Sequence, residues 1–89
     1  MMKHLNISIF GRVQGVGFRY SVKQQAQNLG LFGFVKNNID KSVYIEVEGE
    51  DKKLDEFLKW CKKGPLFSKV EKMEVSKGEI KNFIGFEII

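Results

Sequence analysis

A strand gives way to a helix within residues 5–19, which read LNISIFGRVQGVGFR. Leu5, Ile7 and Ile9 alternate with polar residues, and this period of two predicts a half-buried strand. Phe18 opens a new apolar pattern with helical spacing. The glycine-rich segment between the two patterns therefore connects the end of a strand to the start of a helix.

This connection has the composition of an anion-binding loop. Glycine adopts the positive φ angles that turn successive N–H groups to one side, and a helix N-terminus adds partial positive charge. Arg19 lies in the first helical turn, where a cation opposes the helix dipole. A bound phosphate would explain Arg19, whereas a plain tight turn with a solvated arginine is the alternative that local sequence leaves open.

The rest of the chain continues the alternation of strands and helices. Helical spacing occurs in two segments, one with Phe18, Val22, Ala26 and Leu29 and one with Leu54, Phe57, Leu58 and Cys61. Between them, residues 31–37 and 43–47 predict a β-hairpin with a turn near residues 38–41. Residues 70–75 and 83–89 supply one or two further strands.

The resulting order, βαββαβ, predicts an α+β fold. We expect a ferredoxin-like sandwich in which two helices cover one face of an antiparallel sheet of four to five strands. The 89 residues suffice for one core, so residues 1–89 are expected to form a single domain.

Composition narrows the class of protein further. A net charge of +4 favours anionic partners, and no apolar run is long enough to cross a bilayer. The first residues lack the apolar segment of a signal peptide, so we expect a cytoplasmic protein with no membrane partner. The one cysteine, Cys61, cannot form an internal disulfide and is predicted to pack in the core.

Two motifs resemble the signatures of the acylphosphatase family. The first is IFGRVQGVGFR at residues 9–19, and the second is GFVKN at residues 33–37, followed by Val43 and Gly49. The resemblance spans essentially the whole chain. Lys41 stands where the second signature usually has a glycine in the hairpin turn. The positive φ angle would then have to come from Asn38, from Asp40 or from a longer turn.

The resemblance implies an enzyme that hydrolyses small acyl phosphates to a carboxylate and inorganic phosphate, without metal or cofactor. It implies that Arg19 and Asn37 are the catalytic residues. The backbone amides of the loop would bind the substrate phosphate, and the residues concerned are Gln14, Gly15, Val16, Gly17, Phe18 and Arg19. The enzyme is expected to act as a monomer.

The chemistry of these residue types agrees with that assignment. The guanidinium of Arg19 offers a rigid fork of donors that matches two phosphoryl oxygens. The amide of Asn37 can orient a water but cannot accept a proton near neutral pH. The leaving carboxylate has a conjugate acid with a pKa of about 4, so it departs without a general acid. The missing cysteine–histidine nucleophile pair is therefore no obstacle.

Other sites find little support in the sequence. His4 is the only histidine, and the acidic residues show no spacing typical of metal ligands. The glycines lack the Gly-Lys-Ser/Thr of a P-loop and the spacing of a dinucleotide fingerprint. We therefore predict no metal site and no cofactor.

An RNA-binding module of the same βαββαβ topology is the main alternative function. Phe32 and Phe34 share a sheet face with Phe10 and Tyr44, where exposed aromatics stack on bases in the RNA recognition motif. Against it, Asn37 stands where that motif has an aromatic residue, and the segment lies in the second strand and not the third. A nucleic-acid partner is thus not expected. A regulatory protein that has kept the fold and lost the activity is a third possibility.

Overall fold

Strands and helices alternate along the chain in the order β1, α1, β2, β3, α2, β4, β5. The computed structural model describes all residues, 1–89. The elements are β1 (Met2–Arg12), α1 (Phe18–Asn28), β2 (Phe32–Asn37), β3 (Val43–Glu50), α2 (Asp51–Lys63), β4 (Lys69–Gly78) and β5 (Phe86–Ile88). Neither helix combines the length and apolar character needed to cross a bilayer.

The five strands form one sheet in the order β4-β1-β3-β2-β5. The ferredoxin-like prediction is confirmed, but the expectation of a wholly antiparallel sheet is wrong, because β5 pairs with β2 in parallel. The reason is the path of the chain. β4 occupies the edge beside β1, and Gly78, at its end, pairs with His4 near the start of β1. The chain crosses at this end to the free edge beside β2, so β5 must run in the direction of β2.

The apolar core lies between the sheet and the two helices. The central strands pair Leu5 with Val47, Ile7 with Ile45 and Ile9 with Val43, and these side chains are buried. The helices bury the predicted stripes against the same cluster, which contains 16 residues. Cys61 belongs to it, as predicted, and burial raises the pKa of its thiol. This packing holds the beginning of α1 against the end of the sheet where β1 and β2 terminate.

In the β2–β3 hairpin, Lys41 itself adopts the positive φ angle that the family's usual glycine would supply. Lys41 takes a φ of +78°, and neither Asn38 nor Asp40 has a positive φ. The carboxylate of Asp40 accepts a hydrogen bond from the Ser42 N–H at 2.9 Å, and the Asn38 N–H donates to the Ser42 carbonyl at 2.9 Å. Hydrogen bonds within the turn, one to a side chain and one between backbone groups, stabilise it and so offset the steric cost of a left-handed lysine.

The opposite face of the sheet carries a buried polar network. Residues 79–85, the crossing segment, connect β4 to β5 and lie against this face. Glu48 is 2% exposed, and its carboxylate accepts hydrogen bonds from His4 Nδ1 at 2.8 Å, from the Lys81 N–H and from the Phe83 N–H at 3.1 Å. Lys81 Nζ donates to Glu46 at 2.8 Å. The network thus fastens the segment that leads into β5.

We expect this network to make the free energy of unfolding decrease as the pH becomes acidic. Burial raises the pKa of Glu48, but the hydrogen bonds from Lys81, His4 and Phe83 outweigh it and leave that pKa below its ordinary value of 4.5. A lowered pKa stabilises the folded state above pH 4.5, and this contribution is lost as the pH falls through the folded value.

Denaturant unfolding at several pH values measures this contribution. Glu48→Gln should lose about 1 to 3 kcal/mol at neutral pH and show a flatter decline toward acid pH than the unsubstituted protein. Glu56→Gln, at an exposed position on α2, is the matched control and should follow the unsubstituted protein. Equal acid dependence in the Glu48→Gln and unsubstituted proteins would show that Glu48 does not carry the effect.

Candidate active site

The loop between β1 and α1 depends on two glycines for its conformation. Gly15 and Gly17 each have a φ of +75°, and Gly17 is the N-cap residue of α1. A Cβ added at either position would meet no atom within 4 Å, so space is not what requires glycine there. Glycine is required by the left-handed backbone conformation, which is disfavoured for residues that carry a Cβ.

The N–H groups of this loop have no acceptor within the protein backbone. No backbone hydrogen bond outside the helices and strands uses an N–H of residues 13–20, and the first helical turn begins with the Ser21 N–H donating to the Gly17 carbonyl at 3.1 Å. The helix N-terminus has no side-chain cap and no acidic residue in its first turn. Unpaired donors at the positive end of a helix dipole are the arrangement in which proteins commonly bind anions.

Arg19 and Asn37 lie on the same cavity as this loop. The cavity has a volume of about 180 Å³ and is lined by Val13, Gly15, Gly17, Phe18, Arg19, Tyr20, Asn37 and Ile88. Arg19 is exposed and forms no ion pair with any carboxylate. Its guanidinium is therefore available to an anionic ligand.

Asn37 lies at the cavity because successive side chains of β2 alternate between the two faces of the sheet. Gly33, Val35 and Asn37 point to the side of the sheet that faces the helices, and Asn37 ends the strand beyond the buried Val35. Its Oδ1 atom is buried and has no hydrogen-bond partner. A buried acceptor without a partner is costly in a folded protein, and a ligand or water in the cavity would satisfy it.

Two of the predicted phosphate-binding residues do not line the cavity. Val16 packs against the hydrophobic core, and the Gln14 side chain turns to the hairpin, where its Nε2 donates to the carbonyls of Asn38 and Ser42, both at 2.9 Å. Gln14 thus ties the loop to the segment that follows Asn37. Sequence reasoning considered only its backbone amide, and nothing in the local pattern indicated this contact.

Val13, Tyr20 and Ile88 were missed as lining residues for different reasons. Val13 and Tyr20 immediately flank the predicted phosphate-binding residues 14–19, so this adjacency was a usable signal. Ile88 lies far away in the sequence and reaches the site only because β5 pairs with β2.

The sheet aromatics do not form the open stacking surface that the RNA alternative needs. Phe34 packs against Tyr44 and against Phe83 of the crossing segment, with ring centroids 6.0 and 5.7 Å apart. Lys72 Nζ covers the Phe10 ring at 5.3 Å. Side chains of the protein itself therefore occupy much of the face on which bases would stack.

No metal centre is built into the residues of the chain. No group of three or more histidine, cysteine, aspartate or glutamate side chains is arranged to hold an ion. His4 bonds to Glu48 and Asn6, and Cys61 is buried among apolar residues. The donors that face the cavity are backbone amides, a guanidinium and a carboxamide, which suit an anion and not a cation.

The chain is similar to known proteins in both sequence and structure. The family model described as Acylphosphatase matches residues 5–88. An acylphosphatase of Archaeoglobus fulgidus is 48% identical over 94% of this chain and 94% of its own, and one of Oceanobacillus iheyensis is 47% identical over 98% of each. The crystal structure of acylphosphatase from Bacillus subtilis superimposes with a TM-score of 0.95 at 39% identity, covering 100% of this chain and 99% of that one.

Proposed function

The chain belongs to the acylphosphatase family and is an enzyme that hydrolyses acyl phosphates, and from this premise we propose how its own residues perform the reaction. In the proposal, the 15–19 loop amides and Arg19 bind the phosphoryl group, and Asn37 orients the attacking water. The proposal rests on one observation. Backbone amides without an acceptor, a guanidinium without an ion pair and a buried carboxamide oxygen without a hydrogen-bond partner all border a single cavity.

Binding of the phosphoryl group is the first role. The N–H groups at the start of α1 offer fixed donors, and Arg19 adds two parallel donors and a full positive charge. As water attacks, negative charge spreads over the phosphoryl oxygens, and donors already in place stabilise it without reorganising. The loop and Arg19 therefore bind the transition state more strongly than the substrate.

Asn37 has the second role, because water must approach in line with the bond that breaks. The Oδ1 of Asn37 accepts a hydrogen bond from this water, which satisfies the buried oxygen. The water oxygen bonds to phosphorus, and the phosphorus–oxygen bond to the carboxyl group breaks. The electron pair leaves with the carboxylate, and the water proton passes to the phosphate. No protein group needs to act as general acid, since the carboxylate is a weak base.

Inhibition kinetics test the proposed anion site. Inorganic phosphate should inhibit acetyl phosphate hydrolysis competitively, because substrate and product share the loop amides and Arg19. A chelator should leave the rate unchanged, since the proposal assigns all charge stabilisation to protein donors. Sulfate, a tetrahedral anion, should compete in the same way, whereas chloride at equal ionic strength serves as the control. Noncompetitive inhibition by phosphate, or loss of activity on chelation, contradicts the proposal.

The proposal extends to a monomeric, cytoplasmic enzyme that does not require nucleic acid. Support for the monomer is that one chain supplies every residue that lines the cavity. Light scattering at assay concentration measures the mass, and turnover per chain should not change on dilution.

A further inference from the structure

The two halves of the proposed active site come from strands that are not neighbours in the sheet. The 15–19 loop follows β1 and Asn37 ends β2, whereas β3 lies between these strands. Neighbouring strands are about 4.8 Å apart, so roughly 10 Å separates the two backbones. Pairing of β3 with either strand ends at Val43, which faces Ile9 on one side and Asn37 on the other. The hydrogen bonds between strands therefore do not connect the loop to the end of β2.

The side chain of Gln14 bridges this gap. Its Nε2 atom has two hydrogens and donates to two carbonyls, those of Asn38 and Ser42, each at 2.9 Å. Asn38 directly follows Asn37 in the chain, and Ser42 directly precedes β3. A single carboxamide thus joins the start of the loop to both ends of the hairpin turn that follows Asn37.

Both acceptors of Gln14 belong to a turn that is already closed by its own hydrogen bonds. The Asn38 carbonyl also accepts a hydrogen bond from the Lys41 N–H at 3.2 Å, and the Ser42 carbonyl accepts one from the Asn38 N–H at 2.9 Å. Gln14 therefore takes the second acceptor site of each carbonyl. Ser42 is 1% exposed, so its carbonyl has little access to water that could replace the Gln14 donor. These contacts hold the start of the loop at a defined place beside the hairpin.

The side chain of Asn37 depends on its backbone for its position. Its Oδ1 atom is buried and has no hydrogen-bond partner in the protein, so no contact at that atom orients the carboxamide. The backbone continues directly into Asn38, whose carbonyl Gln14 holds. A shift of the hairpin relative to the loop would therefore move Asn37 relative to a phosphoryl group bound on the loop amides.

From this arrangement we propose that Gln14 is a positioning residue, which holds Asn37 and the 15–19 loop at the separation that in-line attack by water requires. The proposal rests on the proposed function, which assigns the water to Asn37 and the phosphoryl group to the loop. The Gln14 side chain does not line the cavity, so it acts through the hairpin and not on the substrate. Its removal leaves each half of the site intact but misaligned, and a misplacement of about 1 Å can lower a rate by about a hundredfold.

The kinetics of Gln14→Met test the proposal. Methionine has a side chain of the same length as glutamine but lacks the two donors. With acetyl phosphate as substrate, kcat should fall by about tenfold to a hundredfold, whereas the inhibition constant of inorganic phosphate should change by less than about threefold. Gln27→Met, at an exposed position on α1, is the matched control and should leave both constants unchanged.

A double-mutant cycle distinguishes positioning from a general loss of structure. If Gln14 acts through Asn37, its replacement lowers the rate only while the Asn37 carboxamide is present. Gln14→Met should therefore lower kcat by less than about twofold when it is introduced into Asn37→Ala. Denaturant unfolding shows whether each variant is folded under assay conditions. If Gln14→Met does not fold, Gln14→Asn takes its place in the cycle, because its amide nitrogen is one methylene short of both carbonyls.

Three results would overturn the proposal: an unchanged kcat in folded Gln14→Met, a phosphate inhibition constant that rises as much as kcat falls, or a Gln14→Met effect that persists in full in Asn37→Ala. In each case, a kcat lowered as expected in Asn37→Ala alone shows that the proposed function stands without it. Full activity of Asn37→Ala, or no turnover of acetyl phosphate by the unsubstituted enzyme, would instead mean that the proposed function has failed.

Discussion

Arg19→Ala should lower kcat/KM for acetyl phosphate by about a thousandfold or more, the scale expected when a donor to a transferring phosphoryl group is lost. The loss follows from the site, where Arg19 is the only charged residue that lines the cavity and no acidic side chain holds it elsewhere. Because Arg19 is exposed, the variant should fold normally. Steady-state kinetics with circular dichroism measures both properties.

Two variants separate the guanidinium from general electrostatics. Arg12→Ala removes the same charge from an exposed position at the end of β1, outside the cavity lining, and should change kcat/KM by less than about threefold. Arg19→Lys keeps the charge but not the fork, so its activity should fall between those of the alanine variant and the unsubstituted enzyme. A folded Arg19→Ala protein that keeps a tenth of its activity would remove Arg19 from the mechanism.

Asn37→Ala should lower kcat by about a hundredfold to a thousandfold while inorganic phosphate inhibits as before, within about twofold. We expect kcat to fall without a change in phosphate inhibition because Asn37 is assigned to the attacking water, whereas the loop amides and Arg19 hold the anion. The substitution also removes the buried Oδ1 that lacks a partner, so it should cost little stability. Turnover kinetics and the phosphate inhibition constant test the two statements together.

A second asparagine supplies the control. Asn28→Ala lies at the exposed end of α1 and should leave kcat and phosphate inhibition unchanged. Asn37→Asp retains the shape of the side chain but brings a negative charge to the cavity, so it should weaken phosphate inhibition as well as turnover. A change confined to KM in Asn37→Ala would contradict the assignment to the water.

Much of the fold follows from local sequence, because the two periodicities report which face of each element is buried. Leu5, Ile7 and Ile9 predict β1 and its core face, and Phe18, Val22 and Ala26 predict the buried stripe of α1. The glycines between them predict a turn with positive φ angles, which Gly15 and Gly17 adopt, but local sequence does not decide between an anion-binding loop and a plain tight turn. The roles of Arg19 and Asn37 stay predictions, although both side chains border one cavity.

Features set by long-range contacts could not be read from the sequence. The direction of β5 depends on the crossing segment, which Glu48 fastens through hydrogen bonds to backbone groups 33 and 35 residues away. The contribution of Ile88 to the cavity depends in turn on that direction. The low preference of lysine for a positive φ angle pointed to other turn residues. Lys41 nevertheless adopts that angle, because hydrogen bonds within the turn compensate its cost.

Titration of the protein with inorganic phosphate, followed by NMR of the backbone amides and of the Arg19 side chain, tests the central claim most directly. The largest chemical-shift changes should occur at residues 15–20 and at Arg19 Nε, they should saturate together, and Arg19→Ala should weaken them. Saturating shifts centred on another part of the surface, with the 15–20 amides unmoved, would contradict the account.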